Sequence, residues 1–288
     1  MTPWILGIDT SGPRCGVALL QGDRVVGVES LAAPGTNRAL MPAVDRLCRR
    51  AGIGPRRLDG IAVALGPGSF TGLRIGLAAA KGLAVALRRP LAGVGTLEAV
   101  AFAAAGGDER AAAPGNRLVV RPARRGEFYA AAFDPSGRCL WGPDAVAADA
   151  LMALLGQRGG GPARPSDPGG TVAPGRRAAN GRPRGSGELP PRGALGRGAS
   201  GTGWVVVVDP AHAAALGLAA AVAPTSPTGG AADADDADVV VVPDPGAVPV
   251  AVARLARRRL EAGGDDPATL VPLYLPAGSL FRPYPGAG

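Results

Sequence analysis

The chain has 288 residues and a formal net charge of +8; 47% of it is apolar and only 4% is aromatic. This length suffices for one large domain or two small ones, with a core built mostly from Ala, Val and Leu. The three cysteines are odd in number and widely spaced, which argues against a disulfide framework or a zinc site and favours a reducing compartment. Asp9 interrupts the first apolar run, and Pro, Gly or charge interrupts the later ones. We therefore expect a cytoplasmic protein with no signal peptide and no membrane span.

The first part of the chain predicts three strands and a helix. The run Trp4–Ser11 is typical of a buried strand that ends in a polar turn, and Cys15–Leu31 of two strands joined by a hairpin. The next segment has apolar residues at helical spacing and ends at Gly52. Its apolar positions are Leu40, Val44, Leu47 and Ala51.

A strand, a glycine-rich turn and a helix follow. The strand is Ile61–Leu65, the turn begins the sequence GPGSFTGLRIG, and the helix runs from Thr71 to Leu87 before a further strand at Leu91–Val94. The glycines of this motif are Gly66, Gly68, Gly72 and Gly76. Such a turn either cradles a phosphate, presents a nucleophile, or lets two elements pack closely.

The chemistry open to this turn is limited. It contains neither the Walker pattern nor the arrangement of a nucleophile elbow around Ser69. The chain has one histidine, His212, so neither a Ser-His-Asp triad at Ser69 nor a two-histidine metal site is available. Close packing by the glycines and anion binding at the helix start both stay open.

The helix after the turn is too apolar for a half-buried one. Arg74, Lys81 and Arg88 recur every seven residues as a narrow polar stripe, and almost everything else is apolar, Gly or Ala. Apolar residues therefore cover well over half of its circumference, more than a sheet alone buries. We expect one side to cover the sheet and the other to meet a neighbouring helix or another protein, and we favour the Leu77 side over the Ile75 side for the partner.

The second half predicts a further α/β unit. A strand pair is expected within Arg117–Asp134, and another strand begins at Trp204. Between them, residues 156–203 hold eight arginines against two carboxylates and are rich in Gly and Pro, which predicts a disordered insertion. We predict two lobes, residues 1–110 and residues 111–288, the second smaller and interrupted by this insertion.

Several stretches resemble the TsaB family, also called YeaZ. They are ILGIDTSGPRCGVALL, the long run LDGIAVALGPGSFTGLRIGLAAAKGLAVALRRPLAGVGTLEAVA, ARRGEFYAAAF and the late LVPLYL. The resemblance implies the two-lobed fold of actin, sugar kinases and chaperone ATPases, with mixed sheets and flanking helices. It places Asp9, Thr10 and Ser11 where related ATPases hold phosphate and magnesium, as a vestigial site. It also implies no catalytic residue, no metal and no cofactor in this chain.

The resemblance implies a role in making threonylcarbamoyladenosine beside the anticodon of tRNA. Family members pair with the transferase TsaD through the helix after the first hairpin and the helix after the glycine turn; the ATPase TsaE joins them, and tRNA is met through the complex. A homodimer is possible when the chain is alone. The expected partner-interface residues are Leu40, Val44, Leu47, Leu73, Leu77, Ala80 and Ala84. Two alternatives are a stand-alone kinase-fold ATPase or peptidase-like enzyme, and an arginine-rich RNA-binding protein.

Overall fold

The structure is a computed structural model, and it describes residues 2–32, 35–107, 115–123, 126–151, 204–208, 240–241 and 246–275. The predicted insertion at 156–203 and the histidine at position 212 lie outside these residues.

Five strands form the first sheet, in the order β3-β2-β1-β4-β5. Strand β1 pairs antiparallel with β2 but parallel with β4, which is parallel to β5. The amino-terminal ends of the three parallel strands therefore meet at one edge of the sheet, and their carboxyl ends meet at the other. The strands are β1 (Trp4–Asp9), β2 (Arg14–Gln21), β3 (Arg24–Ala32), β4 (Gly60–Ala64) and β5 (Leu91–Val94).

Helices cover both faces of this sheet. On one face, α1 (Thr36–Arg50) and α2 (Phe70–Leu87) share a core cluster with Leu6 and Ile8 of β1. On the other face, α3 (Thr96–Ala104) and α4 (Ala247–Glu261) share a cluster with Ile5. Because side chains alternate along a strand, neighbouring residues of β1 serve opposite faces.

The second sheet has the order β10-β9-β6-β7-β8. Its core combines apolar residues of β6, β7, β8 and β9, and α3 packs against β6 and β7. The two sheets with flanking helices agree with the predicted fold class. The strands are β6 (Asn116–Pro122), β7 (Glu127–Phe133), β8 (Cys139–Ala147), β9 (Trp204–Val208) and β10 (Val240–Val241).

Helix α4 comes late in the chain but packs on the first sheet. The glycine at position 7 of β1 permits this, because a Cβ there would lie 2.1 Å from the Pro249 carbonyl oxygen. Leu260 similarly lies over Gly60 of β4. A boundary at residue 110, which stays a prediction, leaves this covering helix in the second segment.

Helix α2 is long and apolar enough, by length and composition, to cross a membrane, although one third of it is buried inside the fold. Among the described residues it is the one helix with these properties. Its buried residues Leu77, Ala80 and Ala84 belong to the core beneath α1 and α2, so this side of the helix is covered by protein.

Candidate functional site

The loop after β1 holds the three residues of the expected vestigial phosphate site. Asp9, Thr10 and Ser11 are 2%, 0% and 2% exposed. The backbone N–H of Ser11 donates to Asp9 Oδ1 at 2.9 Å, and Thr10 Oγ1 donates to the carbonyl oxygen of Gly72 at 2.7 Å. Among the described residues, Ser11 Oγ is buried without a hydrogen-bond partner. The loop is thus mostly engaged in contacts inside the protein.

The glycine turn and the first turns of α2 lie directly on this loop. A Cβ on Gly68 would lie 2.3 Å from the Ser11 carbonyl oxygen, one on Gly72 would lie 2.0 Å from the Thr10 carbonyl oxygen, and one on Gly76 would lie 2.2 Å from Thr10 Oγ1. Gly66 has a φ of 111°, which favours glycine, and its missing Cβ makes room for the Leu273 carbonyl oxygen. All four glycines therefore permit close backbone approach.

The start of α2 is also occupied by hydrogen bonds within the chain. The N–H of Ser69 donates to the Ser11 carbonyl oxygen at 2.7 Å, and Ser69 Oγ caps the helix by accepting from the N–H of Gly72 at 3.2 Å. The N–H groups of Ser69 and Gly72, which could otherwise bind an anion at the helix start, are thus already hydrogen-bonded. This geometry favours packing over the phosphate cradle that the motif left open.

The Cys15 thiol lies next to this loop. Its thiol donates to the Gly12 carbonyl oxygen at 3.2 Å and accepts from Thr36 Oγ1 at 3.5 Å. Burial, with a smaller effect from Asp9, raises the pKa of this thiol, against lowering effects from the Thr36 hydrogen bond and from Arg121. The thiol therefore stays protonated at neutral pH, which makes it a poor nucleophile.

The seven expected partner-interface residues lie in the core of the single chain. The residues of α1 and the later three of α2 belong to one buried cluster, and Leu73 is 1% exposed beside Gly66. This corrects the expectation that the Leu77 side of α2 meets a partner: Leu77 is 6% exposed and packs into the core beneath α1 and α2. The buried seven are Leu40, Val44, Leu47, Leu73, Leu77, Ala80 and Ala84.

The solvent-facing side of α2 carries exposed apolar residues beside the polar stripe of Arg74, Lys81 and Arg88. Phe70 is 53% exposed and Val85 is 71% exposed, and Ala78 and Gly82 between them are also exposed. Met41 of the adjoining helix α1 is 44% exposed. We call four exposed residues of α2, Phe70, Ala78, Gly82 and Val85, the α2 outer face.

An aromatic cluster borders the first turn of α2. The Arg74 guanidinium lies 3.8 Å from the Phe70 ring centroid and donates through Nε to Tyr274 Oη at 3.0 Å. The two rings are 4.9 Å apart between centroids. Tyr274 lies in the LVPLYL stretch, but the sequence gave no indication of its contact with Arg74, which is 200 positions away.

The fold is of the YeaZ type. A solved structure, YeaZ from Pseudomonas aeruginosa, matches 95% of this chain and 100% of its own with a TM-score of 0.59 and 21% identity. Two TsaB proteins from Bacillus subtilis and Escherichia coli are 43% and 33% identical over 34% and 48% of this chain. The chain is similar to proteins of the TsaB (YeaZ) family in part of its sequence and in its fold.

The sequence similarity to the TsaB proteins covers only part of this chain and part of the relatives. The sequence model of the TsaD family, described as tRNA N6-adenosine threonylcarbamoyltransferase, matches residues 28–165. The chain spans 43% and 58% of the lengths of the Bacillus subtilis and Escherichia coli TsaB proteins. The region that matches the TsaD family includes α1, the glycine turn and α2.

Proposed function

We propose that this chain is the non-catalytic partner subunit of a TsaD-like transferase, and that the pair makes threonylcarbamoyladenosine in tRNA next to the anticodon. A TsaE-like ATPase joins the pair, and tRNA is bound through the complex. The names of the relatives support this role, since TsaB proteins are named for biosynthesis of threonylcarbamoyladenosine in tRNA.

The observation that carries the proposal is the α2 outer face. Phe70 and Val85 are large apolar side chains that are 53% and 71% exposed near the two ends of one helix, and we infer that a partner covers both. The Phe70–Arg74–Tyr274 cluster adds aromatic and arginine side chains, the types that dominate binding energy at interfaces.

The most suitable occupant is a TsaD-like lobe. The TsaD model matches the segment of this chain that contains α1 and α2, so the transferase is built from corresponding helices. Two similar lobes can pair through equivalent surfaces about a pseudo-twofold axis, as identical chains do in a symmetric dimer.

We assign catalysis to the TsaD-like partner. This chain contains one histidine, too few for a two-histidine metal site, and the buried Cys15 thiol is held protonated. The purified chain alone is therefore expected neither to modify tRNA nor to cleave peptides.

Three substitutions test the pairing. Val85→Arg places a charge on the α2 outer face, where it stays hydrated in the free chain, so the melting temperature should stay nearly unchanged while pairing is lost. Leu77→Arg buries an unpaired charge at a cost of several kcal/mol, enough to unfold a marginal domain. Val25→Arg is the matched control, because Val25 is also an exposed valine, at 39%, but lies on β3 and not on α2.

Melting curves, size-exclusion chromatography with the TsaD-like partner, and a tRNA modification assay with each chain alone and mixed provide the measurements. A Val85→Arg variant that pairs and supports modification like the wild type would contradict the proposal. So would modification by the chain alone, or a homodimer that Val85→Arg dissolves while partner binding persists.

A further inference from the structure

Arginines gather at the edge of the first sheet where the parallel strands begin. This edge is opposite the Asp9–Ser11 loop, which follows the carboxyl end of β1. Arg49 and Arg50 end α1, a 3₁₀ turn at Pro55–Arg57 leads into β4, and α2 ends just before Arg88. In α1, the turn after it and the end of α2, seven arginines face three carboxylates, Glu29, Asp45 and Asp59. Two further carboxylates at this edge, Asp23 and Asp265, are paired with arginines of α4. The seven arginines are at positions 46, 49, 50, 56, 57, 88 and 89.

Contacts between these elements hold the arginines together in space. Arg89 Nη2 donates to the Arg56 carbonyl oxygen at 3.2 Å, and Arg89 also lies 3.8 Å from Asp59. Asp59 in turn accepts from the N–H of Trp4 at the start of β1, at 2.9 Å. The end of α2 is therefore fixed against the turn that follows α1.

The first three of these carboxylates are already taken by four of the seven arginines. Glu29 pairs with Arg46 and Arg50, Asp45 with Arg49, and Asp59 with Arg89. Within the described part of the chain, the exposed side chains of three arginines make no hydrogen bond or ion pair. We call these three, Arg56, Arg57 and Arg88, the arginine edge.

The chemistry of the arginine edge suits the phosphates of a nucleic-acid backbone. Guanidinium groups match phosphate oxygens in a bidentate geometry and stay charged at all physiological pH values. Residues 49–59 expose no large apolar side chain that would enter a lipid bilayer, and no aromatic ring that would stack on a base. Such a surface provides sequence-independent contacts that position an RNA.

We propose that the arginine edge binds the phosphate backbone of the tRNA substrate when this chain is paired with the transferase, a proposal that rests on the proposed function. Helix α2 spans 18 residues, about 27 Å. The edge therefore lies a helix length away from the aromatic cluster at the other end of α2, while Val85 of the α2 outer face lies three residues before Arg88. The RNA contact thus adjoins the carboxyl end of the proposed protein contact.

The test measures binding of an unmodified tRNA transcript to the assembled pair by fluorescence anisotropy at several salt concentrations. The double variant Arg56→Ala with Arg57→Ala should reduce the slope of log Kd against log salt by between about one and two, because each phosphate contact contributes about 0.7 to 0.9. The matched control, Arg38→Ala with Arg138→Ala, removes the same charge from exposed positions on α1 and the β7–β8 turn and should leave the slope unchanged.

Arg88→Gly separates binding from folding. Arg88 caps α2 with a φ of 53°, a conformation that glycine adopts more readily, so this variant should fold at least as stably as the wild type. It should nevertheless lower the salt slope by about one.

Size-exclusion chromatography of each variant with the partner distinguishes the two proposals. Failure of the wild-type chain to pair would refute the proposed function itself. Variants that pair normally and bind tRNA with the wild-type salt slope would overturn the arginine edge alone. Loss of binding to vesicles containing phosphatidylserine, with tRNA binding unchanged, would also overturn it, in favour of a lipid surface.

Discussion

At the scale of single residues, the four glycines of the turn differ from Gly82 on the same helix. Gly72→Ala would place a Cβ 2.0 Å from the Thr10 carbonyl oxygen, whereas a Cβ on Gly82 meets nothing within 4 Å. We expect Gly72→Ala to lower the free energy of unfolding by about 1–3 kcal/mol or more through overpacking. Gly82→Ala should raise it by about 0.5–1 kcal/mol, because alanine loses less backbone entropy in a helix. Urea denaturation of both variants provides the measurement, and equal stabilities would show that the turn does not depend on glycine at position 72.

At the scale of elements, an ion-pair network joins β3 to α1. Glu29 accepts from Arg46 at 2.7 Å and from Arg50 at 2.6 Å, and its side chain is 12% exposed. The hydrogen bond from Arg46, together with the charges of both arginines, holds the pKa of Glu29 below its ordinary value of 4.5. The two arginines therefore stabilise the ionised carboxylate in the folded state.

Glu29→Gln should cost about 1 kcal/mol of unfolding free energy at pH 7. A carboxylate with a lowered folded-state pKa stabilises the fold fully above its unfolded-state pKa, and this contribution is lost as the pH falls through the folded-state value. The difference between wild type and variant should therefore disappear in acid, as measured by denaturation at a series of pH values. Asp45→Asn is the control, since the exposed pair of Asp45 and Arg49 should contribute only a few tenths of a kcal/mol. A Glu29→Gln effect that is constant with pH would rule out the ion pairs as its cause.

At the scale of the whole molecule, α4 ties the end of the chain to its beginning. Arg254 donates to the Gly107 carbonyl oxygen and, at 3.1 Å, to the Asp23 carbonyl oxygen, and Arg257 pairs with the Asp23 carboxylate. Leu260 is 6% exposed against β4. The stability of the first sheet should therefore depend on a helix that begins 151 residues after α3 does, at Ala247 rather than Thr96.

Leu260→Ala should cost about 2–4 kcal/mol, because it leaves a cavity between α4 and the sheet. Hydrogen exchange should quicken together in β1, β4 and β5, since α4 packs across all three. Glu261→Ala, at a side chain that is 55% exposed, should leave exchange unchanged. Faster exchange confined to α4 would mean that the first sheet is stable without its C-terminal helix.

Local pattern alone determined most of the strands and helices between residues 4 and 94. Three predictions agree with the observed elements to within a few residues: the strand at Trp4–Ser11, the helix that ends at Gly52, and the strand, turn and helix through Leu87. They agree because apolar periodicity and the placement of glycines act over short stretches of chain. The same pattern predicted two α/β halves and carried the resemblance to the TsaB family.

Only the tertiary structure decided how α2 is oriented and what surrounds it. A helix that is apolar around most of its circumference has no clear buried side, so the sequence could not decide between the Leu77 side and the Ile75 side; packing beneath α1 buries Leu77 and leaves Val85 outside. The contacts of Tyr274 with Arg74 and of α4 with β1 join residues about 200 positions or more apart. Such contacts arise from chain topology, and no local spacing of residues encodes them.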